Sequence, residues 1–139
     1  MHGFLTRIPV RFRDLDAMGH VNHAVYFTYM EVARQEYWFA LTGQSSVEAF
    51  KFVVGKAECA YRSPALLGEV VCVRLGVTRM GGASFTMQYA LTDEATGRLL
   101  AEGRTELVSY DYARKKARRL TDEERLSIEA FEARHQRDS

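Results

Sequence analysis

Three features of this sequence predict an α+β domain in which an antiparallel five-stranded sheet wraps one long central helix. Apolar residues recur at spacings of three and four over residues 23–41 and cover most of that segment's girth. One alternating strand pattern precedes the segment and four follow it. The four are joined largely by short, Gly-containing turns of the hairpin kind. A chain of 139 residues, 47% hydrophobic and 27% charged, is expected to form a single domain that buries a core without staples.

Taken in order, Ile8, Val10 and Phe12 alternate with Arg7, Pro9, Arg11 and Arg13. This is the pattern of a half-buried strand, with Pro9 pointing to an unpaired edge. Residues 14–22 break the alternation and contain Gly19, so a loop is expected. In the helix, Tyr26, Met30, Ala33, Tyr37 and Leu41 make one apolar row, and Val25, Tyr29, Val32 and Phe39 fill its flanks. Only Thr28, Glu31, Gln35 and Thr42 form a polar stripe, so the helix has to be wrapped rather than laid on a surface. Asn22 is the expected N-cap and Gly43 the residue that ends the helix. A connection with at most one helical turn follows at 44–51.

The next strand, 52–61, is expected to place Val53, Gly55, Ala57, Cys59 and Tyr61 on one face. Strands over 70–79 and 84–92 flank the turn at Gly81-Gly82. A long strand over 99–111 has a face of small residues (Ala101, Gly103, Thr105, Ser109) suited to close approach by a helix. The basic segment 113–119 reads as a connection. Thr121 with Glu124 makes a capping box for a last, peripheral helix over 121–134. The core spans about 6–120. So small a sheet leaves much of the helix and one strand edge uncovered, which predicts a homo-oligomer.

Net charge is +1, so no global field argues for nucleic acid or a membrane surface. No run approaches the ~20 apolar residues of a membrane span, and the N-terminal stretch lacks the apolar core of a signal peptide. Cys59 and Cys72 sit in apolar strand patterns without CxxC spacing, as expected of buried thiols in a cytoplasmic protein.

Chemistry concentrates in residues 14–23. Asp14 fits a turn-capping role. Asp16 precedes Gly19 and a helix start at a distance that lets the chain fold back over its carboxylate. A helix N-terminus offers unpaired N–H groups and a dipole favouring negative charge. A thioester carbonyl placed there would find an oxyanion donor in the N–H of His23 or a neighbour. Asp16 could then attack the carbonyl carbon directly or activate a water. His20 is expected to order the loop. His20 and His23 with the two aspartates lack a further clustered ligand, so no metal is expected, and no cofactor either. There is no GxSxG, GxGxxG, P-loop or HExxH motif.

The run D-x-D-x-x-G-H-V-N-H-A-x-Y from Asp14 to Tyr26, followed by Y-M-E-x-A-R from Tyr29 to Arg34, resembles the hotdog-fold acyl-CoA thioesterases of the 4-hydroxybenzoyl-CoA thioesterase type, with their YbgC- and FadM-like members. The order of strand, motif, long helix and four strands agrees over about residues 6–120. The resemblance implies that Asp16 is the catalytic carboxylate and that the backbone N–H at His23 polarises the carbonyl. It implies acyl-CoA as substrate, with Gly19, Asn22 and Tyr26 around it and Tyr26, Phe27 and Met30 among the pocket walls. It also implies active sites at a dimer interface, in a homodimer or homotetramer, and a structural role for Glu31. Coenzyme A phosphates call for exposed cations. Arg62, Arg79 and the 114–119 basic run are the candidates. A non-catalytic acyl- or CoA-binding module, or a thioesterase acting on acyl carrier protein, are the competing readings.

Overall fold

The computed structural model describes residues 3–46 and 49–137. Strand β1 (Phe4–Pro9) leads through a turn of 3-10 helix at Phe12–Asp14 and a loop into helix α1 (Val25–Thr42). Strands β2 (Phe52–Tyr61), β3 (Val70–Met80), β4 (Ser84–Asp93) and β5 (Leu99–Asp111) follow, then a two-residue strand β6 (Lys116–Ala117) and helix α2 (Asp122–Arg137). All pairings are antiparallel, in the order β1-β3-β4-β5-β2, with β6 added on β5. The five expected strands and the wrapped helix of the hotdog arrangement are therefore present.

Helix α1 buries Tyr26, Tyr29, Met30, Ala33, Arg34, Tyr37 and Trp38, a stripe at spacings of three and one. Val25, Val32 and Phe39 recur at every seventh position and stay half-buried on the flank. Gly43 ends the helix at φ 72°, in the left-handed region glycine tolerates, and its N–H returns to the Phe39 carbonyl. The small face of β5 does what its composition foretold. A Cβ on Gly103 would lie 2.1 Å from Met30 Sδ, so only glycine lets helix and strand approach this closely.

Several local expectations need correction. The helix starts at Val25 rather than His23, and its N-cap is Ala24, with no side-chain cap. Asn22 acts one turn earlier: its Oδ1 accepts the Ala24 N–H at 2.9 Å and its carbonyl accepts the Val25 N–H at 2.9 Å. Phe12 is 79% exposed, because the 3-10 turn breaks the strand alternation before reaching it. In β2 a bulge lies between Val54 and Lys56 and shifts the alternation by one. Val54, opposite the buried Leu107, thus shares the inner face with Ala57, Cys59 and Tyr61, and Val53 faces outward. The basic segment is more than a connection, since β6 folds it back onto Tyr110 and Asp111. The 44–51 connection includes residues 47 and 48, which lie outside the described residues.

The capping box of α2 is formed. Glu124 Oε1 accepts the Thr121 N–H at 2.9 Å, and Thr121 Oγ1 accepts the Glu124 N–H at 3.0 Å. This helix is tied in more deeply than a peripheral one. Ile128 and Phe131 join the main core, and Glu132 accepts hydrogen bonds from the Tyr37 hydroxyl and the Val77 N–H. Leu126, by contrast, is 68% exposed.

Candidate active site

The loop between β1 and α1 is built on Asp14. Its carboxylate is 1% exposed and accepts the Arg11 N–H at 2.9 Å, Arg11 Nη2 at 2.8 Å and the Tyr29 hydroxyl at 2.8 Å. Burial pushes the Asp14 pKa up, but the hydrogen bonds and charge of Arg11, with the Tyr29 hydroxyl, outweigh it and hold the carboxyl below its ordinary range. Burial and the same carboxylate raise the Tyr29 hydroxyl well above a normal phenol. Asp14 is thus a buried anchor and not a reagent.

From that anchor the chain makes a miniature hairpin. Asn22 N–H donates to the Asp14 carbonyl at 2.8 Å, Asp16 N–H donates to the His20 carbonyl at 2.8 Å, and Leu15 bridges Val21. The turn at its tip is closed by Gly19 N–H on the Asp16 carbonyl at 3.1 Å, with Gly19 at φ 81°. Asp at the first position of such a turn bonds the backbone two residues on. Asp16 does so: Oδ1 accepts the Met18 N–H at 2.9 Å and, more weakly, the His20 N–H at 3.4 Å. Among the described residues nothing bonds Asp16 Oδ2, and the residue is half-buried. One oxygen is spent on holding the loop; the other is available.

The hairpin is pinned sideways to the segment before β3. Val21 N–H donates to the Ala65 carbonyl at 3.0 Å and His20 bridges Leu66. Ala65 N–H donates to the Tyr26 hydroxyl at 3.1 Å. Tyr26 is 3% exposed, so within one chain it supports the loop from inside. His23 is exposed at the helix entry. Its carbonyl accepts the Tyr61 hydroxyl at 2.8 Å, its ring meets Tyr61 edge-on at 6.3 Å, and its N–H has no partner among the described residues. Tyr61 also packs edge-on against Tyr26 at 5.0 Å. Tyr61, which touches both His23 and Tyr26, is not among the site residues read from the sequence. Its position at the inward-facing end of β2 was the available signal.

Asp16, Gly19, His20, Asn22 and His23 therefore share one rigid loop and helix entry. The cations divide. Arg62 follows β2 at this end of the sheet and makes a loose ion pair with Glu102 at 3.4 Å. Arg79 lies at the far end of β3. The register runs Tyr61, Ala101, Leu91, Val73 across the sheet, so Arg79 is about seven residues, roughly 20 Å at the rise of a strand, from the level of Arg62. Within one chain they cannot grip one phosphate group. In the basic run, Arg118 is committed to Glu124 at 2.7 Å and Arg114 faces Asp111 at 3.9 Å. Arg98 is a further cation near the loop; it binds the Pro64 carbonyl and Glu69 and ties down the 62–69 segment.

Nucleophilic cysteine chemistry finds no support, because burial pushes both the Cys59 and Cys72 thiols up. Among the described residues no group of three or more His, Cys, Asp or Glu is gathered as metal ligands, and no helix is long and apolar enough to cross a membrane.

A half-free carboxylate on the loop that leads to a helix entry with an unpaired N–H is the setting in which comparison with known proteins becomes informative. Residues 10–128 match the family profile of the thioesterase-like superfamily. The chain is 30% identical over 129 residues to the long-chain acyl-CoA thioesterase FadM of Escherichia coli K12, covering 89% of this chain and 96% of that protein. It is 32% identical over 126 residues to the acyl-CoA thioester hydrolase YbgC of E. coli O6:H1, covering 86% and 92%. A crystal structure of a Thermus thermophilus thioesterase complexed with coenzyme A and Zn superposes with a TM-score of 0.84 at 37% identity, over 96% of this chain and 98% of that one. The chain belongs to the thioesterase-like superfamily, as a thioesterase of the hotdog fold.

Proposed function

We propose that this thioesterase hydrolyses acyl-CoA, with Asp16 as the reacting carboxylate and the His23 N–H as the donor that polarises the thioester carbonyl. The observation that carries this is the division of labour in Asp16. Oδ1 is held by loop amides while Oδ2 is left without a partner among the described residues, on the same hydrogen-bonded loop that leads into α1. The loop fixes the carboxylate's direction in advance, so little orientational freedom is lost at the moment of reaction. Negative charge developing on the carbonyl oxygen meets an N–H at the positive end of α1. A thioester needs no more than this, because its carbonyl is electrophilic and its thiolate leaves readily.

Oδ2 either attacks the carbonyl carbon, giving a mixed anhydride that water then opens, or removes a proton from a water that attacks. Single turnover in heavy-oxygen water separates the two, since label entering Asp16 itself marks the anhydride. Coenzyme A as the thiol part is supported by the relatives' names and by the coenzyme A held in the Thermus structure. Arg62 is the cation on the correct end of the sheet to meet its phosphates. The exposed edge at residues 54–58 of β2 and the half-buried stripe of Val25, Val32 and Phe39 support a homodimer as the working unit.

Asp16→Asn is the decisive variant. Asn keeps an Oδ1 that accepts the Met18 N–H, so the loop is preserved, but it loses the anionic Oδ2. Its kcat on a good acyl-CoA substrate is expected to fall by roughly 10²–10⁴ with an unchanged melting temperature. A parent-like rate in a thiol-release assay across short, long and aromatic acyl-CoAs would remove Asp16 from the chemistry. No thiol release from any of them by the parent would mark a binding module instead, and release only from acyl carrier protein would move the thiol carrier.

A further inference from the structure

The backbone on either side of His23 is fixed by hydrogen bonds, most of them from its own loop. The Asn22 N–H donates to the Asp14 carbonyl at 2.8 Å, the Val25 N–H to the Asn22 carbonyl at 2.9 Å, and the Ala24 N–H to Asn22 Oδ1 at 2.9 Å. One bond comes from 38 positions away: the Tyr61 hydroxyl, at the end of β2, donates to the His23 carbonyl at 2.8 Å. The helix itself makes no use of that carbonyl. A regular α-helical turn would direct the Phe27 N–H to His23, but the first turn is tightened, and Phe27 donates to the Ala24 carbonyl at 3.2 Å. Among the described residues Tyr61 is therefore the one donor to the His23 carbonyl.

The His23 N–H lies in the peptide plane shared with Asn22, and the carbonyl bonded by Tyr61 lies in the plane shared with Ala24. Peptide units are planar and these two meet at one Cα, so fixing both leaves the N–H little freedom to turn. The Val25 N–H holds the first plane through the Asn22 carbonyl. The second is held by the Ala24 N–H within the loop and by Tyr61 from the sheet, and of these bonds only that of Tyr61 ties the helix entry to a strand. The Tyr61 ring is itself seated. It meets the His23 ring edge-on at 6.3 Å and the Tyr26 ring edge-on at 5.0 Å, and Tyr26 is 3% exposed. Tyr61 is 44% exposed, so its hydroxyl can be removed without opening the core.

We propose that Tyr61 is a positioning residue for the thioester hydrolysis, a role that rests on the reading of the His23 N–H as the polarising donor. Its hydroxyl tethers the His23 carbonyl to β2 and so holds the adjacent N–H in the direction in which it meets the substrate carbonyl. Tyr61→Phe keeps the ring and loses only the tether. Its kcat on a good acyl-CoA substrate should fall by roughly 5- to 50-fold, below the ~10²–10³ cost of removing an oxyanion donor, with KM within about twofold and an unchanged melting temperature. Solvent exchange of the Ala24 and Val25 amides, read by NMR on the free protein, should speed up by about threefold or more, whereas Met18 and Gly19 at the loop tip keep the parent's rates. Tyr112→Phe is the matched control. It loses the same kind of bond, from a hydroxyl to the Phe52 carbonyl at 2.7 Å, but at the opposite end of β2, and should match the parent in all of these readouts. Parent-like kcat and exchange in Tyr61→Phe would overturn the assignment. So would an equal loss in Tyr112→Phe, or a fall in kcat matched by a fall in melting temperature, which marks a scaffold residue. The exchange measurement needs no substrate. A parent that releases no thiol while Tyr61→Phe exchanges faster would count against hydrolysis and for the tether.

Discussion

At the scale of single residues, the two aspartates of one motif have opposite fates, and the difference is hydrogen bonding. Asp14 spends both oxygens on Arg11 and Tyr29 inside the protein, whereas Asp16 spends one on the turn and keeps one. The sequence placed both at the end of a strand but could not say which one turns inward, because that is decided by where Tyr29 and Arg11 end up. Another carboxylate gives a pH prediction. Glu124 accepts from Arg118 and from the Thr121 N–H, and Arg118, acting against partial burial, holds its pKa down to about 2 from 4.5. A carboxylate whose folded pKa is depressed contributes stability that is present above its unfolded pKa and lost as pH falls through the folded one. Glu124→Gln should therefore melt below the parent at pH 7, and the gap should close progressively between pH 4.5 and about 2. Thermal melts of both proteins across that range check it, and a gap that persists at the acid end would assign the loss to packing.

Among the secondary-structure elements, the central helix and the five long strands were legible because periodicity records which face is buried, whereas the two-residue β6 was not. Nor were the helix boundary and the bulge in β2. Asn22 looks like a cap in sequence, yet it closes a separate turn two residues before the true cap, a choice made by the hairpin beneath it. Gly55 looks like an ordinary strand residue, yet the register slips beside it and exchanges Val53 with Val54. Gly103 is the position where element packing is most sharply tested. Its missing Cβ is filled by Met30, which is 1% exposed and has nowhere to retreat. Gly103→Ala should destabilise by about 1–3 kcal/mol through overpacking, measured as a lowered midpoint in urea. Combination with Met30→Ala should recover part of the loss, since the two changes act on one space. Additive effects of the two would place the strain elsewhere.

For the molecule as a whole, the sheet curls around α1 but does not close. The flank of Val25, Val32 and Phe39 and the β2 edge remain for another surface. The flank begins at the helix entry with Val25 and the β2 edge ends at Tyr61, so the proposed second copy covering them would reach the end of the sheet that carries the Asp16 loop. Val32→Asp, on the half-buried flank, should shift the proposed homodimer toward monomer in analytical ultracentrifugation and reduce acyl-CoA hydrolysis in parallel. A monomer with full activity would show that one chain suffices.

By itself the sequence determined the hotdog architecture and the family, and it marked out the segment proposed to carry the chemistry. Each of these is written in local periodicity or in a contiguous motif from Asp14 to Arg34. Only the tertiary structure decided which carboxylate oxygen is free, that Tyr26 supports the loop from inside, and that Arg79 stands at the far end of the sheet from Arg62. Those facts depend on strand register and on contacts between residues tens of positions apart. Such contacts are set by how helix and sheet fit together, and a linear pattern does not encode them.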